Sequence, residues 1–260
     1  MSGWITEWIL GSGAEDDENE ERDMMFVFKL LGWIVGFVVA AIIALLLFLR
    51  FGTPVYDWQQ EMTIVIDTPD GPVSGSSVSA VRWKEHAIKA QGMGWSLQVT
   101  GEAVVVDLGP SASRPRYLFA LLKGAGTTEY MGSVAAASLS GREGRVIDEA
   151  LFAQIENRQG AAPSTIAVPR IQYPLLVTFA DIGDPASVAR VDPDDLAARF
   201  GEGYALSSIT LAITDEWVTN GRVDAVLPCL KGDEVCIPLN KTLPYANPMR
   251  FLPNYVIRSK

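Results

Sequence analysis

Histidine occurs once in this chain of 260 residues, at His86. A single histidine excludes the HExxH zinc-protease motif, which needs two on one helix face. Cysteine occurs twice, at Cys229 and Cys236. Two thiolates and one remote imidazole make a poor zinc set, so the chain presents no metal site. No G-x-S-x-G elbow and no S-x-x-K pair is present, which removes two serine-nucleophile classes. Neither Lys123 nor Lys231 is preceded by the glycines of a P-loop or followed by Ser or Thr, and Gly124-Ala125-Gly126 lacks the third glycine of a dinucleotide fingerprint. Basic residues are also in deficit, 21 Lys and Arg against 31 Asp and Glu, a formal charge of −10. That balance argues against nucleic acid, whose phosphates demand a basic surface, and against docking on anionic lipid through a basic patch. The sequence therefore presents no catalytic residue, no cofactor site and no metal site.

What is present is one long apolar run. From Leu30 to Leu49 no charged or strongly polar side chain occurs. About 20 residues at about 1.5 Å each cross the roughly 30 Å hydrocarbon core of a bilayer. A lone span must be helical, because its backbone finds no other hydrogen-bond partners in lipid. The alternatives are a core helix of a soluble protein and a cleaved signal peptide. A core helix is usually shorter and more interrupted. A signal peptide would follow a basic segment and precede a small-residue cleavage site, whereas the segment before this run is acidic and Arg50-Phe51-Gly52-Thr53-Pro54 follows it. The reading is an uncleaved anchor over residues 24–50, with an acidic tail over 1–23 and a soluble domain over 51–260. Lys29 and Arg50 flank the run, and Trp33, Tyr56 and Trp58 lie near its ends, where aromatic residues favour the interface.

Gly32, Gly36, Ala40 and Ala44 recur every four residues, so they share one side of the helix. A small-xxx-small stripe lets two helix backbones approach closely, and packing drives association in lipid. These four residues are the candidate pairing face, for a protein partner or a second copy. The other reading is chance, since Gly and Ala are common in membrane helices. Arg22 and Lys29 precede the run and only Arg50 closes it. The positive-inside rule then places the N-terminus in the cytoplasm by a narrow margin.

Before the run, Trp4, Ile5, Trp8, Ile9 and Leu10 would share one side of a short helix, an interfacial turn, a docking peptide or a frayed terminus. The acidic stretch Ala14–Asp23 reads as a solvated, disordered spacer.

After the run, residues 51–60 read as a connector. Met62, Ile64 and Ile66 then alternate with Thr63, Val65 and Asp67, the period of a strand. Thr68-Pro69-Asp70-Gly71 supplies a reversal, and Ser76–Trp83 the returning strand. Trp95–Thr100 and Ala103–Leu108 read as a second hairpin turning near Gly101. Arg116–Gly124 reads as a nearly all-apolar central strand. The small-residue stretch 126–141 reads as a close-packed helix or an ordered loop. The stretch 145–160 reads as a helix with an apolar side of Val146, Ile147, Ala150, Leu151, Ala153 and Ile155, ended by Gly160. A subdomain boundary near residue 160 is one option. Tyr173–Asp181 and Leu206–Thr214 read as strands. Asp184-Pro185 and Asp192-Pro193 both read as helix starts, the second helix ending at Gly201. Capping explains most of Asp181, Asp184, Asp192, Asp194 and Asp195 without a metal. The fold class is α+β, mainly antiparallel sheet with a few helices, plus one N-terminal transmembrane helix.

The stretches MTIVIDTPDG, GEAVVVDLG, YPLLVTFADIGDPASVARVDPDDLAARFG and ITLAITDEWVT together resemble a group of single-span, membrane-anchored proteins of alphaproteobacteria. The resemblance covers most of residues 55–220. The group carries no activity to transfer, so the resemblance implies a Gram-negative envelope setting and no chemistry.

The cysteines lie in Leu227-Pro228-Cys229-Leu230-Lys231-Gly232-Asp233-Glu234-Val235-Cys236. With Gly232-Asp233 as a two-residue hairpin loop, Lys231 faces Glu234, Leu230 faces Val235 and Cys229 faces Cys236. Opposed residues of a hydrogen-bonded pair have Cα atoms about 5.5 Å apart, within disulfide range. The expectation is a Cys229–Cys236 disulfide, the alternative two reduced thiols. A disulfide needs an oxidising compartment, which puts the C-terminal domain in the periplasm and the anchor in the inner membrane. The functional expectation is a non-enzymatic interaction or assembly protein of the envelope. A membrane-tethered hydrolase using distant carboxylates is the alternative, and a small-ligand sensor a third class.

Overall fold

Strand periodicity begins at Val55, ahead of the Met62–Ile66 alternation. The computed structural model describes residues 12–86, 94–111, 115–124, 129–161, 164–184, 187–227 and 258–259, with the side chains of 24–48 described within the first helix. The chain divides into two compact units between Thr53 and Pro54.

The first unit is helix α1, Ser12–Phe51. Its segment Met24–Phe48 is long and apolar enough to cross a membrane, with a mean hydropathy of 2.9, and its large apolar side chains are exposed. The backbone of residues 12–23 is helical too, which corrects the disordered spacer. Carboxylates are stabilising near the positive end of a helix, so an acidic first few turns is compatible with helix.

The second unit holds the strands β1 (Val55–Asp67), β2 (Val73–Glu85), β3 (Trp95–Glu102), β4 (Val104–Asp107), β5 (Tyr117–Gly124), β6 (Thr165–Ala167), β7 (Pro174–Phe179), β8 (Val188–Arg190), β9 (Ala205–Thr214) and β10 (Arg258–Ser259). Its helices are α2 (Tyr130–Ser140), α3 (Glu149–Glu156), α4 (Ala197–Phe200) and α5 (Arg222–Val226). The unit is α+β, with one six-stranded sheet ordered β10-β3-β2-β1-β9-β6 and one four-stranded sheet ordered β4-β5-β7-β8. Every strand pair is antiparallel. Strands from both sides of residue 160 pair within each sheet.

In β1 the even-numbered residues Trp58, Gln60, Met62, Ile64 and Ile66 are buried and their odd neighbours are partly exposed, as a strand with one wet face requires. The expected β1–β2 reversal is present, with Gly71 N–H donating to Thr68 C=O at 3.0 Å. Residues 55–60, read as a connector, are strand, because Asp57 and Gln59 fill wet positions in the same alternation.

The expected hairpin between Trp95 and Leu108 does not form. β3 pairs with β2, whereas β4 pairs with β5 in the other sheet. The chain changes sheets at Gly101-Glu102-Ala103. Gly101 has φ +153°, and a Cβ there would lie 2.7 Å from Ser79 Oγ. The two sheets approach closely at Gly75, where a Cβ would meet the Val105 carbonyl oxygen at 2.2 Å. A side chain on Gly75 would push the layers apart, and one on Gly101 would press on Ser79 of the neighbouring strand β2. Glu102, 1% exposed, accepts hydrogen bonds from the amides of Gly221, Arg222 and Val223 at 3.0, 2.9 and 3.3 Å. It thereby satisfies the first N–H groups of α5.

The small-residue stretch is helix α2, buried from Tyr130 to Ala137. Glycine and alanine allow that approach: a Cβ on Gly132 would sit 2.5 Å from Leu97. Helix α3 starts at Asp148, whose side chain accepts from Leu151 N–H. Its buried residues are Phe152 and Ile155. Phe152 was missing from the expected apolar side, and Ala150 is exposed. Phe152 is surrounded by Tyr56, Trp58, Trp83 and Trp95, with ring centroids 5.4–6.0 Å away. Trp58 Nε1 donates to Gln60 Oε1 at 2.9 Å, Gln60 Nε2 to Met131 C=O and Trp83 Nε1 to Gly132 C=O, both at 2.8 Å. These bonds satisfy the polar edges of the buried aromatics and tie them to α2.

β5 and β7 are the two central strands of the smaller sheet, as their apolar runs implied. The two expected Asp-Pro helix starts are corrected. After Asp184 the chain enters strand β8, and after Asp192 it makes a turn with Asp194 N–H bonded to Asp192 Oδ1 at 3.0 Å. The helix that follows, α4, covers only Ala197–Phe200. Asp195 caps it by accepting from Ala198 N–H at 3.0 Å, and Gly201 ends it at φ +99°.

Candidate functional site

The expected pairing residues Gly32, Gly36 and Ala40 line a shallow groove on α1, together with Lys29, Trp33 and Phe37. A Cβ on Gly32 or Gly36 would have nothing within 4 Å, so this face is open. Ala44 does not line the groove. Cys229 and Cys236 lie outside the described residues, as does their hairpin.

Asp181, Asp184, Asp192, Asp194 and Asp195 do not converge on a metal site. Asp194 forms a two-pronged ion pair with Arg170 at 2.5 and 2.7 Å, which holds its carboxyl below the usual carboxylate range. Asp181 Oδ1 accepts from Gly183 N–H, and Asp192 and Asp195 make the local bonds described above. Among the described residues no group of three His, Cys, Asp or Glu side chains is placed to hold a metal. His86 is exposed, and its backbone N–H donates to Gly94 C=O.

A second concavity lies on the wet face of the six-stranded sheet. It is a cleft of about 320 Å³ lined by Asp57, Gln59, Ala80, Arg82, Gln98, Thr100 and Gln159, with Trp58 and Val81. Strand register arranges six of these residues as two rows. Asp57 faces Arg82 and Arg82 faces Gln98; Gln59 faces Ala80 and Ala80 faces Thr100. Trp58 and Val81 lie between the rows with their side chains in the core, so here they contribute floor. Asp57 and Arg82 form a two-pronged ion pair at 2.7 and 3.0 Å. The carboxylate raises the arginine pKa still further through this hydrogen bond. The pair is cross-strand, with the Arg82 side chain 58% and the Asp57 side chain 47% exposed, a setting worth at most about 1 kcal/mol.

Gln159 closes one side of the cleft from the turn after α3. With its amide oriented to satisfy both ends, it donates to Asp57 C=O at 3.2 Å and accepts from Gln59 N–H at 3.3 Å. β9 pairs with β1 only from Gln59 onward, so Gln159 continues the edge that β9 leaves. The Oε1 of Gln59 is shielded from solvent and has no hydrogen-bond partner. Sequence reasoning missed this cleft because residues 55–60 were read as connector, which hid the Asp57–Arg82–Gln98 register. Polar side chains at Asp57, Gln59, Glu61 and Thr63, on the wet face of an extended β1, were the signal available. Compared with protein families, with curated proteins and with solved structures, the chain matches none.

Proposed function

We propose that this chain is a single-pass protein of the bacterial inner membrane that acts without catalysis, by docking its anchor helix on another membrane helix. The N-terminus lies in the cytoplasm and the C-terminal domain in the periplasm. The supporting observation is the open groove at Lys29, Gly32, Trp33, Gly36, Phe37 and Ala40, in a segment whose large apolar side chains stay exposed. Small residues at the floor of a groove let a second helix approach to backbone distance, where van der Waals packing supplies the association energy. The hydrolase reading has less support. Asp57 is the one carboxylate lining the cleft among the described residues, and both of its oxygens are bonded to Arg82. Glycoside hydrolysis uses two carboxyl groups facing each other across the bond.

The test is crosslinking in native membranes, comparing the natural chain with a Gly32→Ile, Gly36→Ile double variant. A discrete crosslinked partner or self-dimer, lost in the variant, is expected. The same adducts in both chains would rule out the groove. The periplasmic assignment has a separate check. Mass spectrometry of the unreduced protein is expected to find Cys229 linked to Cys236, and free thiols at both would remove the main support for that orientation.

A further inference from the structure

We propose that the cleft on the wet face of the six-stranded sheet is a binding site for a neutral saccharide, with the Asp57–Arg82–Gln98 row and the Gln59–Thr100 row supplying its hydrogen bonds. The two strongest charges in the cleft cancel, since Arg82 is neutralised by Asp57 across 2.7 and 3.0 Å. An anionic ligand would find no net positive charge there, in a chain that already carries −10. A metal ion would find one carboxylate, already engaged on both oxygens. An apolar ligand would find amides, a hydroxyl and an ion pair, with Ala80 the one apolar side chain in the two rows.

What remains is a ligand that is neutral and rich in both donors and acceptors. Gln98 offers an acceptor and two donors, Gln159 keeps the amide capacity that its bonds to Asp57 C=O and Gln59 N–H leave, Gln59 adds a third carboxamide, and Thr100 offers a hydroxyl. Carboxylate and guanidinium can accept from and donate to adjacent hydroxyls while remaining paired with each other. Gln59 Oε1 is a shielded acceptor with no protein donor, and leaving such an atom unbonded costs about 1–3 kcal/mol. A ligand hydroxyl supplies that donor once the Gln59 amide turns toward the cleft. An extended peptide is the other neutral polar ligand. It binds sheets by adding a strand at an open edge, but this cleft lies over β1, β2 and β3, whose backbones are paired with one another beneath it. The volume of about 320 Å³ falls at the small end of ligand sites, about 300–1,000 Å³. It therefore takes a short stretch or an end of a glycan rather than a long chain.

The experiment uses the full-length protein in detergent micelles. Maltose, cellobiose and N,N′-diacetylchitobiose are titrated at up to 10 mM, with saturation-transfer NMR reporting contact and calorimetry reporting Kd. Binding of at least one disaccharide is expected, weakened about tenfold or more by Gln98→Ala and by Thr100→Val. Both variants lie on the wet face and are expected to keep the natural thermal midpoint. Gln59→Glu preserves size and, with a charged acceptor, is expected to retain binding, which separates loss of a hydrogen bond from loss of shape. No contact with any of the three sugars would overturn the proposal. So would binding that all these variants leave unchanged, or saturation transfer to an extended neutral peptide in place of the sugars.

Discussion

Truncating Phe152 tests the packing between α3 and the six-stranded sheet. The ring is fully buried and lies within 5.4–6.0 Å, centroid to centroid, of Tyr56, Trp58, Trp83 and Trp95. Phe152→Ala removes the group that fills the space among four rigid rings. Those rings are themselves fixed, since Trp58 and Trp83 are hydrogen-bonded to Gln60 and to the Gly132 carbonyl. The site therefore collapses poorly, and the cost is expected near the top of the range of about 3–5 kcal/mol for a buried phenylalanine. Domain stabilities are about 5–15 kcal/mol, so the loss is a large fraction of the whole. For 150–250 residues each kcal/mol shifts the midpoint by about 2–4 °C, which gives a drop of roughly 6–20 °C. Thermal unfolding of the full-length chain in micelles, followed by near-ultraviolet circular dichroism, reads both the midpoint and the asymmetry of the tryptophans. A drop under about 2 °C with an unchanged aromatic spectrum would refute the argument.

Two further outcomes follow from polar contacts. Glu102→Ala strips the acceptor from three backbone amides at the start of α5. A loss of about 2–3 kcal/mol is expected, because hydrogen bonds to a charged group are worth about 1.5–3 kcal/mol; chemical denaturation measures it, and a loss below about 0.5 kcal/mol would contradict the capping role. Asp148 has its pKa lowered, first by the hydrogen bond from Arg142 and then by the Leu151 amide. A depressed carboxyl stabilises the fold above its unfolded value of about 3.9 and loses that contribution as pH falls through the lower folded value. Melting curves between pH 7 and pH 2 are expected to show a shallower acid limb in Asp148→Asn than in the natural chain, and identical limbs would refute the assignment.

Much of the architecture was legible from periodicity. The alternation of Met62, Ile64 and Ile66, the Thr68–Gly71 reversal, and the apolar runs at Tyr117–Gly124 and Pro174–Phe179 each led to the strand the structure contains. These signals are local, because burial on one face or on both imprints itself on successive residues. The misreadings share the opposite character. Trp95–Leu108 has the pattern of a hairpin, and nothing within it reveals that its two strands join different sheets. That depends on Gly75 admitting Val105 from about 30 positions away. Asp192-Pro193 carries the composition of a helix start, yet the aspartate bonds its own turn. The cleft was the least legible part, since the six residues of its rows are ordinary wet-face side chains that only three-strand register groups.

The pairing of β1 with β9 sets a timetable for synthesis. Gln59 and Thr214 are partners 155 positions apart. At about 5–20 residues per second, roughly 8–30 s pass between the appearance of the two. β2 covers one side of β1 almost at once, but the other side waits, as a row of unpaired amides and carbonyls that any passing strand can join. During that interval the chain carries Glu61 and Asp67 along the exposed strand, and their repulsion disfavours a second nascent copy from pairing there. The acidic positions of β1 thus guard an edge that the finished molecule no longer has.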